Sequence, residues 1–395
     1  MRVFSLEERK FILDNLHQDT ATLMLQASRY PNLPVQGLVQ QIQARQKAGA
    51  KMPSWVQNPE IIFPVMVSVE QSSSETTAAY KASLFEGKLL VDLTGGFGVD
   101  CFFFSKKFGK VIHVEQNTAL QEIAHHNFAL LGASNIESIN TTAEEFLQNF
   151  EDHADLIYLD PARRSNSNQK LHLLQDCEPD ILNLLPLLFK KSNAVLLKTS
   201  PMLDINLAME QLGHVAGVWV IALQNEVKEV LYLLKPNVPA VSEVQQTAIN
   251  LLSNGEGQQL SFTKKSEDEA KVSFTDPKEY LYEPNAAILK AGAYRYLAQH
   301  YNLSKLHPNS HLYTCKSLIS DFPGRKFHYT GTYRYSKKEL LKLLPDKKAN
   351  ITIRNFPESV ADIRKKTGIK EGGNVYLFFT TDMHQKPVVL KCNKI

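Results

Sequence analysis

The sequence predicts an α/β protein with a Rossmann-like central domain, a helical region before it and a small α+β domain after it. Three observations support this prediction. From Lys88 onward, short apolar runs alternate with amphipathic segments of about 10–20 residues, which is typical of a mostly parallel sheet covered by helices. A glycine-rich turn follows the first of these runs. The last part of the chain is basic and mixes strand and helix patterns.

The changes in pattern divide the chain into four parts. They are a helical region over 1–65, the alternating domain over 66–238, a connecting segment over 239–316 and the α+β domain over 317–395. In the first part, apolar residues such as Phe11, Ile12 and Leu16 recur at helical spacing. Asp19 or Thr20 is placed to cap a second helix.

Six apolar runs in the alternating domain predict strands. They are KLLVDLT, KVIHVE, ADLIYLD, AVLLK, VWVIAL and VLYLL. The last two are separated only by the polar segment QNEVKE, which predicts an antiparallel pair at the end of the sheet.

The remainder of the chain has less regular patterns. Residues 240–275 are polar, and residues 285–301 predict one amphipathic helix. The final stretch contains strand patterns (NITIRNF, NVYLFFTT, PVVLKC) and helix patterns (SKKELLKLL, SVADIRKKTG), as in a small α+β domain.

The composition is that of an ordinary globular protein, with 43% hydrophobic and 22% charged residues. No stretch approaches the roughly 20 apolar residues that a membrane span needs. The N-terminal residues lack the apolar core of a signal peptide. The four cysteines lie far apart without a CxxC pair, so we expect a cytoplasmic protein that binds no metal.

The charge is unevenly distributed. The net charge is +3, but residues 321–395 contain 16 Lys and Arg against 7 Asp and Glu. That segment therefore carries +9 and the rest of the chain −6. A basic module beside an acidic remainder suggests a polyanionic partner such as nucleic acid. A charged surface that only aids solubility is the alternative.

A candidate cofactor site follows the first two predicted strands. The first strand ends at Asp92 and leads into a tight turn with Thr94, Gly95, Gly96 and Gly98. Glycines allow the backbone to approach a ligand closely, and the next helix presents free N–H groups to an anionic group. Glu115 ends the second strand, 23 residues beyond Asp92, where a carboxylate can accept both hydroxyls of a ribose.

Two further elements follow the third strand, which falls between KVIHVE and ADLIYLD, and the fourth strand, which is ADLIYLD. Thr141 and Glu144 have capping-box spacing, which predicts a helix start, and Thr142, Ala143 and Glu144 would lie near an adenine ring. The fourth strand ends at Asp160-Pro161, at the sheet edge where open α/β sheets bind ligands. Arg163 and Arg164 follow and offer guanidinium groups to a phosphate or a base edge.

These four elements, in this order, resemble class I S-adenosylmethionine-dependent methyltransferases over roughly residues 60–238. The resemblance implies a mostly parallel seven-stranded sheet and S-adenosylmethionine as cofactor. It places the cofactor against Asp92, Thr94, Gly95, Gly96, Gly98, Glu115, Thr142, Ala143 and Glu144. Asp160 and the carbonyl of Pro161 would then accept hydrogen bonds from an amino nucleophile. Lys198 and Ser200 would line the far side of the pocket, although Lys198 is equally consistent with a solvated strand end.

The whole chain resembles a bacterial family of methyltransferases with a THUMP-like C-terminal domain. Ser72 and Glu75 have the capping-box spacing of a helix start, similar to that of trimethylguanosine-synthase-like RNA methyltransferases. A small ferredoxin-like segment would match residues 280–301, and the THUMP-like part would span about 317–394. THUMP modules belong to RNA-modifying enzymes, so the resemblance implies RNA as partner.

The chain departs from two known patterns. Amino-group methyltransferases usually carry an aromatic residue at the fourth place of the motif, where this chain has Arg163. Asp-Pro-Ala-Arg is similar to uracil carbon-methylating enzymes, which need a nucleophilic cysteine after the fifth strand. The matching segment, LKTSPM, has none, and Cys177 falls in the preceding helical region with a structural role. Carbon methylation of uracil is thus disfavoured.

We therefore expect methyl transfer from S-adenosylmethionine to a base in structured RNA (rRNA or tRNA), at a guanine or adenine amino group. Two alternatives stay open. One is a methyltransferase for a protein or small molecule, and the other is an RNA-binding protein of this fold without turnover. The intact glycine turn and Asp160 argue against the second.

Overall fold

The computed structural model describes residues 3–163 and 174–395. The chain forms two compact units. The first comprises Met1–Ala216 with Leu231–Val238, and the second comprises Gly217–Val230 with Pro239–Ile395. The chain therefore passes between the units within one β-hairpin.

In the described part of the chain, six α-helices precede the first strand. They are α1 (Leu6–Asp14), α2 (Thr20–Leu25), α3 (Val35–Ala48), α4 (Pro53–Gln57), α5 (Met66–Gln71) and α6 (Glu75–Ser83). Asp19 caps α2 by accepting a hydrogen bond from the Thr22 N–H. Phe11, Leu23 and Leu38 lie in one apolar core shared by α1, α2 and α3, as the helical spacing predicts.

A buried arginine organises the segment that follows α4. The guanidinium of Arg45 donates hydrogen bonds to the carbonyls of Val56, Asn58, Pro59 and Ile61. Burial lowers the pKa of Arg45 to about 10. Because four carbonyls surround the guanidinium, a charged side chain can be enclosed at this position.

The start of α6 differs from the expected capping box. Ser74, not Ser72, is the N-cap, and its hydroxyl accepts a hydrogen bond from the Thr77 N–H at 3.1 Å. The carboxylate of Glu75 instead accepts hydrogen bonds from the backbone of Ser54 and Trp55, at the start of α4. The predicted helix start is confirmed, because α6 begins at Glu75. The Ser72–Glu75 capping box was wrong, because Glu75 caps a neighbouring helix rather than its own.

Strands and helices then alternate through the first unit up to a last pair of strands, whose residues are divided between the two units. They are β1 (Gly87–Asp92), α7 (Val99–Phe104), β2 (Phe108–Val114), α8 (Thr118–Leu130), β3 (Ile136–Ile139), α9 (Ala143–Asn149), β4 (Leu156–Leu159), β5 (Ala162–Arg163), β6 (Cys177–Glu178), α10 (Ile181–Lys191), β7 (Val195–Thr199), α11 (Ile205–Leu212), β8 (Val215–Leu223) and β9 (Glu226–Leu234). The sheet order is β3-β2-β1-β4-β7, and all four pairings are parallel. This is the parallel sheet that the alternating pattern predicts.

The expected antiparallel pair follows. β9 is the neighbour of β7, and β8 is the neighbour of β9. The turn between β8 and β9 consists of Gln224 and Asn225, with φ of 51° and 66°, as in the two-residue turns that suit hairpin twist. With β1 to β4 and β7, the hairpin completes the seven strands of the predicted sheet.

Cys177 does not lie in a helical region as expected. It belongs to β6, which pairs in antiparallel fashion with β5, directly after the Asp160-Pro161 segment. The chain before α10 thus folds back along the loop that follows β4, which the apolar pattern alone does not indicate.

The second unit contains the remaining elements. They are β10 (Gln245–Leu251), β11 (Gly257–Thr263), α12 (Lys264–Glu269), β12 (Tyr280–Pro284), α13 (Ala286–Ala291), α14 (Tyr294–His300), β13 (Ser304–Lys305), β14 (Tyr313–Cys315), β15 (Gly324–Tyr333), α15 (Lys337–Lys342), β16 (Asn350–Arg354), α16 (Val360–Thr367), β17 (Val375–Thr381) and β18 (Pro387–Lys394). Residues 240–275 are thus not merely a polar connection, because β10 pairs in parallel with β8 and antiparallel with β11.

The single amphipathic helix predicted over 285–301 is two helices, α13 and α14. Gly292 ends α13 in the left-handed conformation, with φ of +82°. A left-handed glycine ends a helix, although apolar residues recur at helical spacing on both sides of it. Leu297 and Ala298 of α14 are buried like Ala287 and Ile288 of α13.

A seven-stranded sheet forms the rest of this unit, in the order β13-β14-β12-β15-β18-β17-β16. One apolar cluster beneath α15 and α16 includes Leu340, Ile363 and Phe379. A second cluster includes Leu281 and Phe327. Within residues 3–163 and 174–395, no helix is both long enough and apolar enough to cross a bilayer.

Candidate active site

The turn between β1 and α7 requires its three glycines for steric reasons. A Cβ on Gly95 would lie 2.2 Å from the His113 ring, and a Cβ on Gly98 would lie 2.4 Å from the Phe128 ring. Gly96 and Gly98 have φ of +55° and +87°, which favours glycine. A Cβ on Gly96 would meet its nearest heavy atom only at 3.8 Å. The turn is therefore packed from below at Gly95 and Gly98 and open at Gly96.

His113, which the sequence analysis did not single out, supports this turn from β2. Its Nε2 lies 3.2 Å from the Gly96 carbonyl and its Nδ1 lies 3.0 Å from the Ser138 hydroxyl. A carbonyl only accepts, so Nε2 carries the hydrogen and Nδ1 accepts from Ser138. Burial lowers the pKa of His113 to about 4. The imidazole is thus neutral near pH 7, in one tautomer.

Glu115 lies immediately beyond β2 and contacts the glycine turn. Its Oε2 accepts a hydrogen bond from the Gly96 N–H at 2.9 Å, and its Oε1 accepts one from the Asn117 N–H at 2.7 Å. Each oxygen keeps a second lone pair. The backbone thereby fixes the carboxylate, and both of its oxygens remain able to accept from a pair of neighbouring hydroxyls.

The helix after β3 begins one residue later than the expected capping box. Thr142 is the N-cap of α9, and its hydroxyl accepts from the Glu145 N–H at 3.2 Å. Thr141 instead donates to the Glu145 carboxylate. Ala143 is buried and Glu144 is exposed. The Thr141–Glu144 capping box was wrong by one position, because two adjacent threonines offer equivalent caps.

Asp92 lies beneath the turn rather than in the open space. Its side chain is buried and accepts hydrogen bonds from the Thr94 N–H at 3.0 Å and from the Cys101 thiol at 3.1 Å. Burial raises the pKa of Asp92 to about 7, and the negative charges of Asp100 and Asp160 add to this effect. Asp92 is therefore placed to hold the backbone of the turn rather than to contact a ligand directly.

Asp160 follows β4 and is joined to the glycine turn. Its backbone N–H donates to the Thr94 hydroxyl at 2.6 Å. Its carboxylate forms an ion pair with Lys198 of β7, with the lysine side chain 11% exposed and the aspartate side chain 34% exposed. The lysine therefore contacts Asp160 from the interior, and the carboxylate keeps a face open to solvent. Lys198 is not a fully solvated strand end.

The other predicted substrate residues follow either Asp160 or Lys198 in the sequence. Pro161 is half-buried beside Asp160, and Ser200 is exposed just after β7. The hydroxyl of Ser200 accepts from the Met202 N–H at 3.3 Å. The side chain of Arg163 and all of Arg164 lie outside the described residues.

A buried polar cluster adjoins Asp92 and was not predicted. Asp100 of α7 forms an ion pair with Lys81 of α6 at 3.0 Å, and it accepts hydrogen bonds from Ser73 and from Tyr158 of β4, each at 2.9 Å. Burial raises the pKa of Asp100, but the charges of Lys81 and Lys198 outweigh burial and hold that pKa below its ordinary value.

Through these contacts, the segment before α6 and α6 itself are bound to α7, the helix that follows the glycine turn. The signal in the sequence is Asp100, which directly follows Gly98-Val99, together with a lysine in the preceding helix. Periodicity does not reveal it, since a lysine with no exposed surface, such as Lys81, is rare unless paired.

Together these residues fit S-adenosylmethionine. Glu115 presents two acceptor oxygens for ribose hydroxyls beside an open position at Gly96. Asp92 is buried beneath this turn and Asp100 is paired with Lys81, whereas the carboxylates of Glu115 and Asp160 adjoin the turn and remain accessible to a ligand with a positively charged sulfur and ammonium group. The Asp160 carboxylate adjoins the turn, where a second substrate can be oriented.

Two family models match the C-terminal part of the chain. A ferredoxin-like domain matches residues 280–323, and a THUMP domain-like family matches residues 324–394. These segments contain β12 to β14 and β15 to β18 of the second unit.

Two kinds of relative were found. A solved structure of a candidate methyltransferase from Porphyromonas gingivalis W83 shares 32% identity with this chain, covers 100% of both chains and has a TM-score of 0.88. A protein named as an uncharacterized S-adenosylmethionine-dependent methyltransferase in two strains of Mycobacterium tuberculosis is 24% identical over 243 residues. That match covers 61% of this chain and 62% of the relative, so it spans less than two thirds of the curated proteins.

The similarity to the Porphyromonas gingivalis structure extends over the whole chain and agrees with the family expected from the sequence. The chain therefore belongs to the family of S-adenosylmethionine-dependent class I methyltransferases that carry a THUMP-like C-terminal domain.

Proposed function

We propose that this protein transfers a methyl group from S-adenosylmethionine to a guanine or adenine amino group in structured RNA, either rRNA or tRNA. The observation that carries the proposal is the hydrogen bond between Thr94 and the backbone of Asp160. It joins the turn that faces the cofactor to the carboxylate that faces the substrate. A methyl transfer needs mainly this kind of positioning.

The cofactor would lie over the glycine turn. The bound cofactor supplies an activated methyl group on a positively charged sulfur. Glu115 accepts hydrogen bonds from the ribose hydroxyls, while Thr142, Ala143 and Glu144 at the start of α9 lie near the adenine. Gly96 leaves room for the ligand because a side chain there would occupy the open space.

Asp160 would orient the nucleophile. Its carboxylate accepts a hydrogen bond from the amino group of the target base, and the Pro161 carbonyl accepts a second. The ion pair with Lys198 would restrain the orientation of the Asp160 carboxylate. Formation of the N–C bond would be matched by breakage of the methyl–sulfur bond, with the demethylated cofactor as leaving group. The amino nitrogen would become more acidic as it takes the methyl group, and the Asp160 carboxylate would accept its proton. Ser200 and the two arginines after Pro161 would contact the surrounding nucleotide.

RNA as the substrate is supported by charge and by the C-terminal module. Residues 321–395 carry a net charge of +9. Exposed lysines lie on and beside α15 and α16, on the outer side of the helices that cover the sheet: Lys337, Lys338, Lys342, Lys347, Lys348, Lys365 and Lys370. Such a surface attracts phosphates. The THUMP-like match favours RNA over a protein substrate.

The test is nucleoside mass spectrometry of total RNA from cells that lack the gene. We expect one methylated purine to disappear from one RNA species. Wild-type protein should restore it, and Asp160→Asn should not, although this variant keeps the shape of the side chain and its affinity for the cofactor within a few-fold. An unchanged RNA methylation profile, with methyl label found in a protein instead, would contradict an RNA substrate.

A further inference from the structure

The seven-stranded sheet of the second unit contains a buried carboxylate between two arginines. Glu283 of β12 and Arg325 of β15 are directly opposed in the antiparallel register. Directly opposed residues lie on the same face of a sheet. Two residues along each strand, Leu281 and Phe327 lie in the apolar cluster of that face. Glu283 and Arg325 therefore lie on the same sheet face as this apolar cluster, next to its edge.

A second arginine reaches the same carboxylate from another strand. Nη2 of Arg354, the last residue of β16, lies 2.6 Å from Oε1 of Glu283. Nε of Arg325 donates to the other oxygen, Oε2. Arg325 also donates to the Thr352 hydroxyl at 3.3 Å. One carboxylate thus holds two guanidinium groups side by side.

Exposure distinguishes the members of this group. The Glu283 side chain is 3% exposed, whereas those of Arg325 and Arg354 are 34% and 33% exposed. The carboxylate is therefore enclosed, and both arginines present a face to solvent. A buried glutamate that fixes two arginines preorganises them, so less side-chain entropy is lost when they bind a ligand.

Donor capacity remains on both arginines. Among the hydrogen bonds of the described residues, Nη1 of Arg325 has no acceptor, and Arg354 donates only from Nη1, to the Ile353 carbonyl. Two positive charges also face a single negative charge. The neighbouring His311 has its pKa lowered to about 4 by burial and further by the charges of Lys305 and Arg354. The surroundings are thus electropositive independently of the exposed lysines on α15 and α16.

We propose that Arg325 and Arg354 form a phosphate-binding site that holds a phosphodiester of the RNA substrate, with Glu283 as the residue that positions both guanidinium groups. This inference rests on the proposed RNA substrate and identifies a specific contact for it. Guanidinium pairs match phosphate oxygens with parallel N–H donors, which a lysine cannot reproduce. The site lies where a residue of the ferredoxin-like segment meets two residues of the THUMP-like segment.

The test compares full-length variants that keep the charge but change the geometry. The double variant Arg325→Lys and Arg354→Lys preserves both positive charges opposite Glu283. We expect it to weaken the affinity for target RNA by about tenfold, because the paired donors are lost. The control is Arg334→Lys, at an exposed position after β15, and its affinity should stay within about twofold of wild type.

A salt titration adds a second measurement. Arg354→Gln should reduce the slope of log affinity against log salt by about 0.7 to 0.9, since one phosphate contact is lost. The double lysine variant should keep the wild-type slope despite its weaker binding. Thermal unfolding of each variant reports whether the fold is intact.

Three results would overturn the inference. One is unchanged RNA affinity in the double variant, whatever its unfolding temperature, since the group would then only support the fold. Another is thermal stabilisation by inorganic phosphate that is lost in the double variant while RNA affinity is unchanged, because the site would then take a free anion. The third is equal losses in Arg334→Lys and in the double variant. If wild-type protein neither binds nor methylates RNA, the proposed function fails instead.

Discussion

The hydroxyl of Thr94 accepts a hydrogen bond of 2.6 Å from the backbone N–H of Asp160, so the turn after β1 and the loop after β4 are joined by one side chain. The same threonine also donates from its backbone to the buried Asp92. The cofactor side and the substrate side of the candidate site therefore share one anchor.

Removing that anchor should affect turnover more than stability. In Thr94→Val the Asp160 N–H loses its acceptor, at a cost of about 1–3 kcal/mol if the group stays shielded from water. We expect a clear loss in kcat, because Asp160 is no longer held against the turn. Thr94→Ser keeps the hydroxyl and should remain close to wild type. Equal kcat values for the two variants would contradict this role.

The close packing at Gly95 leads to a second prediction. Gly95→Ala would place a methyl group 2.2 Å from the His113 ring, so the turn or β2 must move. We expect loss of cofactor binding and a destabilisation of about 2–4 kcal/mol. The control is Gly37→Ala in α3, where a Cβ meets nothing within 4 Å. Calorimetric unfolding should show Gly37→Ala as neutral or slightly stabilising.

The pKa of His113 makes the free energy of unfolding depend on pH. Its pKa is about 4 in the folded protein against 6.5 ordinarily, because burial disfavours the charged ring. Between these values the unfolded chain binds more protons, so stability is lost as the pH falls from 6.5 towards 4. This loss is at most about 3.4 kcal/mol. Urea unfolding of His113→Gln should show a weaker pH dependence in this window.

Asp92 acts in the opposite direction. Its pKa is about 7 when folded against 3.8 ordinarily, because burial disfavours the carboxylate. Between these values the folded protein keeps a proton that the unfolded chain loses, so stability falls as the pH rises from 3.8 towards 7. In Asp92→Asn this decline should disappear. A steeper decline in the variant than in wild type would show that Asp92 is not the group responsible.

The basic surface on α15 and α16 leads to a prediction about salt. Reversing Lys337 and Lys338 to Glu should weaken RNA binding and reduce the slope of log affinity against log salt by about 1.4, at 0.7 per phosphate contact. Lys264→Glu with Lys271→Glu changes the same charge outside the THUMP-like segment and is the control. Equal slopes for both pairs of variants would mean that the RNA affinity depends on the total charge of the protein and not on this surface.

The parallel sheet could be predicted from the sequence because its signals are local. The strands β1, β2 and β4 are short apolar runs, with Gly95 in the turn after β1 and Glu115 directly after β2. The strands β10 and β11 were missed because they contain few apolar residues among many polar ones, as a linker does. The helix end at Gly292 was missed because a left-handed glycine ends the helix while apolar residues still recur at helical spacing on both sides of it.

The buried charges could not be predicted for a related reason. Lys81 and Asp100 look like surface residues of two amphipathic helices, and only the packing of α6 on α7 brings them together. Glu283, Arg325 and Arg354 are 29 or more residues apart and meet through sheet register. Long-range pairing of this kind leaves no periodic signal in one sequence.

Calorimetric titration with S-adenosylmethionine tests the central claim most directly. We expect wild-type protein to bind it, or its demethylated product, at micromolar levels. Glu115→Ala should bind more weakly, because two hydrogen bonds to a charged group, each worth about 1.5–3 kcal/mol at most, are lost. Glu137→Ala removes a surface carboxylate of β3 and should bind as wild type does. No heat of binding, or tighter binding of NAD than of S-adenosylmethionine, would contradict the assignment.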